Sequence, residues 1–136
     1  MNSDRMPART EKIDKQKYSA YFRKATSFFM LMKEALNDSN WAGSALAGIH
    51  CAISSADALT SFHLGERSRG ERHEDVISLL KQANIPGTDE KCRQFSAILS
   101  VKNLVEYEAR DFYEEDALKL AKLVERFYSW AKSSLP

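Results

Sequence analysis

The fold is decided by residues 41–64, which read WAGSALAGIHCAISSADALTSFHL. Apolar side chains recur in this stretch at three- and four-residue steps, which is the spacing of one face of an α-helix. Gly43, Ala47 and Gly48 are small enough to let a neighbouring helix approach closely. The stretch is therefore predicted to be a long helix in the middle of a helical bundle.

Turn signals bracket this helix on both sides. Residues 37–40 break the preceding apolar pattern, and either Ser39 or Asn40 suits the N-cap position because its side-chain oxygen can accept a backbone N–H. Gly65 follows the last apolar residue and is typical of a helix end. The helix is thus predicted to run from about Trp41 to Leu64.

Four further segments have helical periodicity. They are predicted at about residues 15–36, from the charged stretch to Gln82 or Asn84, at about 89–110, and from Glu114 onward. No stretch alternates convincingly with a period of two, so no sheet is predicted. The pattern predicts an all-α fold, an up-and-down antiparallel bundle of four long helices plus one short helix, within residues 15–136. Residues 1–14 are polar and are predicted to form a flexible N-terminal arm.

Composition excludes several classes of protein. The chain has 136 residues, the size of one domain, and its 20 Lys and Arg against 19 Asp and Glu give a formal net charge of +1. A strongly basic nucleic-acid coat protein is therefore excluded. Two cysteines cannot build a disulfide scaffold or a zinc site, and no metal or cofactor is predicted. Without a membrane-spanning apolar run or an export signal, we expect a cytoplasmic protein that binds no membrane.

The long central helix carries a polar stripe beside its apolar face. Its members, His50, Ser54, Asp57 and Ser61, are spaced so that they share one side of the helix. Such a stripe is either a hydrogen-bonded seam between helices or half of a functional site. In the second case Asp57 would orient or charge a histidine from elsewhere.

A charged stretch follows this helix at residues 66–75. Arg67, Arg69 and Arg72 precede His73, and guanidinium groups bind phosphate well. His73 lies on the inward face of the short helix near its N-terminus, where a charged imidazole is disfavoured and a neutral, base-like ring is expected. Because acids are interleaved with the arginines, the stretch is either a solvated salt-bridge loop or an anion site.

A third polar group interrupts the apolar arc of the fourth helix. Lys102 projects into the arc, and Glu106, one turn later, can neutralise it. Asn103 and Tyr107 flank this pair, and Arg110 extends the polar patch. The group is either an internal salt bridge beside a packed tyrosine or a site that faces a groove or a second subunit.

From about Tyr18 to Trp130 these features resemble the HEPN domain, a small helical bundle found in prokaryotic toxins, defence proteins and partners of minimal nucleotidyltransferases. The resemblance rests on the alanine-rich helix ending in Ala-Asp-Ala-Leu at residues 56–59 and on the charged stretch before His73. It rests also on residues 102–108, which read KNLVEYE.

Catalytic members of that family resemble metal-independent ribonucleases with an Arg, a following polar residue and a His, from two paired subunits. The resemblance puts Lys102 at the Arg position, Asn103 at the polar position and Tyr107 at the His position. Lysine lacks the bidentate fork of arginine, and a tyrosine with a pKa near 10 is a poor base at neutral pH. This register implies binding without cleavage. Arg67 with His73 has a spacing that also fits the motif.

Three functions are compared on this basis. The first is a HEPN-like homodimer that binds RNA or a nucleotide phosphate and acts with a nucleotidyltransferase in a toxin–antitoxin or defence system. Its predicted binding residues are His50, Asp57, Arg69, Lys102, Asn103, Glu106 and Tyr107, with His50, Asp57, His73 and Lys102 converging on one cleft. The second is an endoribonuclease toxin in which Arg67 or Lys102 binds the scissile phosphate and His73 is the base. The third is a purely structural bundle.

Overall fold

The computed structural model describes residues 9–69 and 73–136, without the side chain of His73. Five α-helices and two short strands lie in these residues. In chain order they are β1 (Thr10–Lys12), α1 (Tyr18–Asn37), α2 (Trp41–Leu64), β2 (Glu66–Ser68), α3 (His73–Gln82), α4 (Thr88–Tyr107) and α5 (Glu114–Ser133). A single 3-10 turn, Lys15–Lys17, leads into α1. The prediction of a mainly helical fold is confirmed.

The central position of α2 agrees with its sequence. It begins and ends as predicted, because the side chain of Asn40 accepts the N–H of Gly43 at 3.0 Å and Gly65 adopts a left-handed φ of 65°. Close packing explains Gly48, since a Cβ there would meet the Met32 sulfur at 3.0 Å and a methyl group of Val124 at 3.2 Å. The glycine therefore lets α1 and α5 approach α2.

Ring contacts show how the helices are directed. Tyr18 meets Phe62 and Phe28 meets His50, so α1 and α2 are antiparallel. α5 packs across both of them, while α4 packs on α2, α3 and α5. The core lies among these helices, and its largest fully buried side chains include Phe95 and Phe127, whose rings stack 5.0 Å apart. The outer face of the α1–α2 pair is left open.

The two strands correct the prediction that the chain has no sheet. β1 pairs antiparallel with β2, with Thr10 opposite Ser68 and Glu11 opposite Arg67. The backbone N–H of Ile13 donates to Gly65 O at 2.9 Å, which extends the connection to the end of α2. Three-residue strands are too short to show a period-two pattern, and this pair is polar, so sequence periodicity missed it. The predicted N-terminal arm, residues 1–14, thus contains a strand.

The other helix boundaries differ modestly from those predicted. α4 ends at Tyr107 rather than Arg110, because Glu108 is extended, and residues 108–113 form the link to α5. Asp116 stabilises the start of α5 by accepting the backbone N–H of Tyr113 at 3.0 Å. In the part of the chain that the structure describes, no helix combines the length and apolar content needed to cross a bilayer.

Candidate functional site

A groove of about 660 Å³ opens on the outer face of the α1–α2 pair. α1 supplies one wall, α2 supplies the floor, and β2 closes one end with a single arginine. The lining side chains are Ala20, Tyr21, Arg23, Lys24, Ser27, Phe28, His50, Ile53, Ser54, Asp57 and Arg67. Cations, aromatic rings and hydrogen-bonding groups therefore meet in one concave surface.

The floor of the groove is the polar stripe of α2. His50, Ser54 and Asp57 are successive members at helical spacing, and all three line the groove. Ser61, the fourth member, does not line it; its side chain is buried, with no hydrogen-bond partner for its hydroxyl. The stripe is thus part of a groove over three of its four positions.

Arg67 and Asp57 form an ion pair at the closed end of the groove. Nε of Arg67 lies 3.4 Å from Oδ2 of Asp57, although its alignment falls short of a hydrogen bond. The Asp57 side chain is only 11% exposed, whereas that of Arg67 is 34% exposed. The guanidinium therefore covers the buried carboxylate and remains in contact with solvent.

Glu11 of β1 approaches the same arginine from the other side. Nη1 of Arg67 donates to Oε1 of Glu11 at 3.2 Å, and Nε of Arg69 lies 3.7 Å from Oε2. One carboxylate thus bridges two guanidinium groups, as an oxyanion ligand would. The pairing of β1 with β2 holds it there, so the strands position charge at the end of the groove.

An aromatic ring completes the environment of Arg67. The centre of its guanidinium lies 5.0 Å from the ring centroid of Tyr21, and the ammonium of Lys24 lies 5.9 Å from the same ring. Both distances are within the range of cation–π attraction. Tyr21 thereby holds two cations at one end of the groove.

Burial changes the acidity of Asp57. It raises the pKa of this carboxyl to about 6, even though Arg67 and, more weakly, Lys24 act to lower it. Desolvation of the charged form is the larger effect because the side chain is almost enclosed. A carboxyl with such a pKa changes charge just below neutral pH, inside the groove.

The opposite end of the groove is aromatic. The rings of Phe28 and His50 lie 5.4 Å apart at an interplanar angle of 31°, and both side chains are half-buried. Ile53 lines the groove beside them. The groove therefore changes along its length from charged at Arg67 to aromatic and apolar at Phe28.

Some predicted site residues are brought together and others are not. His50, Asp57 and Arg67 share the groove, and Arg69 lies next to it through Glu11. Lys102 is not among the lining residues, so the predicted convergence of Lys102 on His50 and Asp57 is wrong. The reason is topological: α1 bounds the groove, while α4 packs on α2, α3 and α5.

The polar group of α4 forms an open surface instead. Lys102 is half-buried, Asn103 and Glu106 are exposed, and Tyr107 is 77% exposed. Among the described residues Lys102 has no ion pair within 4 Å, so the predicted bridge to Glu106 is absent; a half-exposed lysine keeps its ammonium hydrated. Arg110 lies beyond α4 and pairs with Asp116 at 3.8 Å.

The second predicted motif consists of Arg67 and His73, and the structure describes the side chain of Arg67 alone. Arg67 lies in β2 rather than in a loop, and His73 is the first residue of α3. The side chain of His73, like Arg72, lies outside the described residues. The expectation that Arg67 and His73 act together stays a prediction.

Sequence reasoning missed the wall that α1 contributes. Tyr21, Lys24 and Phe28 recur at three- and four-residue steps, but helical periodicity alone does not distinguish rings that line a groove from rings that pack in the core. A usable signal existed in the short turn at residues 38–40. An antiparallel hairpin with so short a turn puts residue 28 opposite residue 50 and residue 21 opposite residue 57, which pairs the two halves of the groove.

Within residues 9–69 and 73–136, no group of three or more His, Cys, Asp or Glu side chains is placed to hold a metal ion. Cys51 and Cys92 are free and buried, and burial raises the pKa of the Cys51 thiol to about 12. Comparison with protein-family models and with curated proteins found no match for the chain.

Proposed function

We propose that this protein is a HEPN-like module that binds RNA or a nucleotide through its phosphate in the α1–α2 groove. One observation carries the proposal: three cationic side chains, Arg23, Lys24 and Arg67, line one concave surface together with His50. Phosphate oxygens are recognised by such groups through charge-assisted hydrogen bonds. The near-neutral chain thus has a local surplus of positive charge without being basic overall.

The charges in the groove leave room for an anion. Arg67 is partly neutralised by Asp57 and Glu11, but Arg23 and Lys24 are exposed and neither has an ion pair within 4 Å among the described residues. With Asp57 as the one lining carboxylate, the lining keeps a net positive charge. A phosphate can therefore bind Arg23 and Lys24, which have no ion pair in the part of the chain that the structure describes, and the solvent-exposed part of the Arg67 guanidinium.

A titration of the purified protein tests this function. Inorganic pyrophosphate and a single-stranded RNA of ten nucleotides are the probes, measured by calorimetry at low salt. The double variant Arg23→Ala/Lys24→Ala is expected to weaken binding of both about five- to thirtyfold, since each exposed contact contributes on the order of 0.5–1 kcal/mol.

The matched control removes the same amount of charge elsewhere. Lys119 and Lys122 are exposed on α5 and do not line the groove. The double variant Lys119→Ala/Lys122→Ala should bind as the wild-type protein does. Equal losses in both double variants, or no binding by the wild-type protein, would refute a phosphate site in this groove.

Self-association is part of the proposal. Large apolar side chains are exposed on three helices, with Met30 59%, Leu31 50%, Leu46 37% and Leu118 47% exposed. Exposed apolar surface of this kind is typical of protein interfaces, and it supports pairing with a second copy or with a nucleotidyltransferase partner. Sedimentation of the purified chain should give the mass of a dimer; a monomer at 100 μM or so would contradict the homodimer.

RNA cleavage is the second candidate because the groove contains an imidazole as well as a guanidinium. A metal-independent ribonuclease needs a base and a phosphate binder, and His50 and Arg67 supply these two kinds of group, at opposite ends of the groove. Activity on RNA in the presence of EDTA, lost in His50→Ala or in His73→Ala, would establish this function. The exposed Tyr107 at the histidine position of α4 favours binding without cleavage.

A further inference from the structure

The groove is asymmetric along its length, and this asymmetry matches one class of ligand. At one end Lys24 and Arg67 are held over Tyr21, and at the other end Phe28 and His50 present two rings. Phe28 is one helical turn from Lys24 and two turns from Tyr21, roughly 6 and 10 Å along the axis. Those separations are comparable to the distance between the base and the phosphate of a nucleotide.

The aromatic end is open to a planar group. Phe28 and His50 are half-buried and inclined to each other, so neither ring is fully covered by the other. An unstacked base placed here would gain contact with the two rings, as in other single-stranded nucleic-acid sites.

The middle of the groove offers hydrogen bonds. Ser54 lies between His50 and Asp57 on α2 and is 8% exposed, and its hydroxyl has no hydrogen-bond partner among the described residues. Asp57 directs one oxygen at Arg67 and can accept from a ligand with the other. Hydroxyl groups of a sugar between a base and a phosphate would reach this part of the floor.

We propose that the groove binds a nucleoside phosphate in one orientation, with the base against Phe28 and His50 and the phosphate among Lys24, Arg23 and Arg67. Ser54 and Asp57 contact the sugar. The inference rests on the proposed phosphate-binding function and adds the base end, which makes Phe28 a specificity-determining residue. A free nucleotide and one unit of single-stranded RNA share this chemistry.

The test separates the two ends of the ligand. Dissociation constants are measured for inorganic pyrophosphate, for 5′-AMP and for a ten-nucleotide RNA. Phe28→Leu keeps apolar volume but removes the ring; it should weaken binding of AMP and RNA about tenfold and leave pyrophosphate within about twofold, given the usual contribution of a base–aromatic stack. Lys24→Ala should weaken all three ligands by a similar factor.

A control and a second readout cover the case in which Phe28→Leu disturbs the fold. Phe112→Leu changes another half-buried phenylalanine that lies outside the groove, and it should leave all three constants unchanged. In the wild-type protein, the imidazole proton resonances of His50 should shift on addition of AMP more than on addition of pyrophosphate, because a stacked base adds a ring current.

Each outcome is decisive. If Phe28→Leu weakens pyrophosphate as much as AMP, or weakens neither, the orientation is refuted while the phosphate site stands. If the wild-type protein binds AMP no more tightly than ribose 5-phosphate, which has the same phosphate and no base, the base end is refuted. If it binds none of the three, the proposed function itself fails. Preference for the RNA over AMP would identify the polymer as the source of the nucleotide.

Discussion

Arg67 covers the buried carboxylate of Asp57, with Nε of the arginine 3.4 Å from Oδ2 of the aspartate. The contact ties β2 to the middle of α2, so the strand ribbon and the groove are one structural unit. The pair joins a side chain that is almost enclosed to one that is partly exposed, since the Asp57 side chain is 11% exposed and that of Arg67 is 34% exposed. Burial of the carboxylate outweighs the attraction of its partner, as its raised pKa shows.

The first prediction concerns the pH dependence of stability. The folded-state pKa of Asp57, about 6, lies above its ordinary value of 3.8, so the folded protein binds this proton more tightly than the unfolded chain does. Ionisation of Asp57 therefore leaves the free energy of unfolding unchanged below pH 3.8 and lowers it progressively as the pH rises toward 6. Above pH 6 the reduction is constant. That reduction is about 3 kcal/mol.

Asp57→Asn should accordingly raise the free energy of unfolding at pH 7 by up to about 3 kcal/mol, and this gain should shrink as the pH falls toward 4. Urea denaturation of both proteins at several pH values measures the difference, in which the other carboxylates cancel. Asp38→Asn, the same substitution at an exposed aspartate, should change the free energy of unfolding at pH 7 by less than about 0.5 kcal/mol. A variant less stable than wild type at pH 7 would mean that the attraction of Arg67 exceeds the cost of burial.

The second prediction concerns Glu11 as an internal competitor for the cations. Its carboxylate contacts Arg67 and Arg69 where a phosphate would. Glu11→Gln keeps an acceptor for Arg67 but removes the negative charge, so affinity for pyrophosphate should rise about two- to fivefold. Calorimetry at a fixed ionic strength is the measurement.

The matched control for Glu11 is in the same ribbon. Glu66 accepts a hydrogen bond from Thr10 at 3.2 Å and has no hydrogen bond to either arginine. Glu66→Gln removes the same charge, and its effect on pyrophosphate binding should be smaller than that of Glu11→Gln. Equal gains would point to a general change in charge and against competition at Arg67.

The sequence contains enough information for the helices and for half of the groove. α2 has unambiguous periodicity, an Asn cap and a terminal Gly, so its boundaries and its polar stripe of His50 and Asp57 were predictable. The ribbon was not, because two three-residue polar strands have no apolar face that would mark them. The position of Lys102 was not predictable either, since the location of a polar residue on a helical wheel does not say which other helix it faces.

The partners of Asp57 show the same limit. Arg67 was identified for its spacing from His73, but its contacts with Asp57, Glu11 and Tyr21 depend on the pairing of β1 with β2. Pairings between segments far apart in sequence are set by tertiary packing rather than by local patterns. The sequence therefore indicates which residues have useful chemistry more readily than it indicates which residues they contact.

The third prediction concerns the hydrogen bond that joins α1 to α5. The hydroxyl groups of Tyr128 and Thr26 lie 2.8 Å apart, and the Tyr128 ring stacks on Phe22 and Phe29. Tyr128→Phe keeps the ring stack and loses the hydrogen bond, so unfolding free energy should fall by about 1 kcal/mol. Tyr107→Phe removes an exposed hydroxyl and should change it by less than about 0.5 kcal/mol; similar losses in both would contradict a role for the buried bond.

The last prediction concerns the salt dependence of RNA binding. Each phosphate that a cation neutralises releases counterions, and for single strands the logarithm of the binding constant falls with the logarithm of salt concentration by about 0.7 per contact. Three contacts, from Arg23, Lys24 and Arg67, give an expected slope of about −2. Lys24→Ala should make the slope shallower by about 0.7, whereas Phe28→Leu should lower affinity at every salt concentration without changing the slope. A wild-type slope near zero would mean that RNA binds without its phosphates, which would exclude the cationic end of the groove as the site.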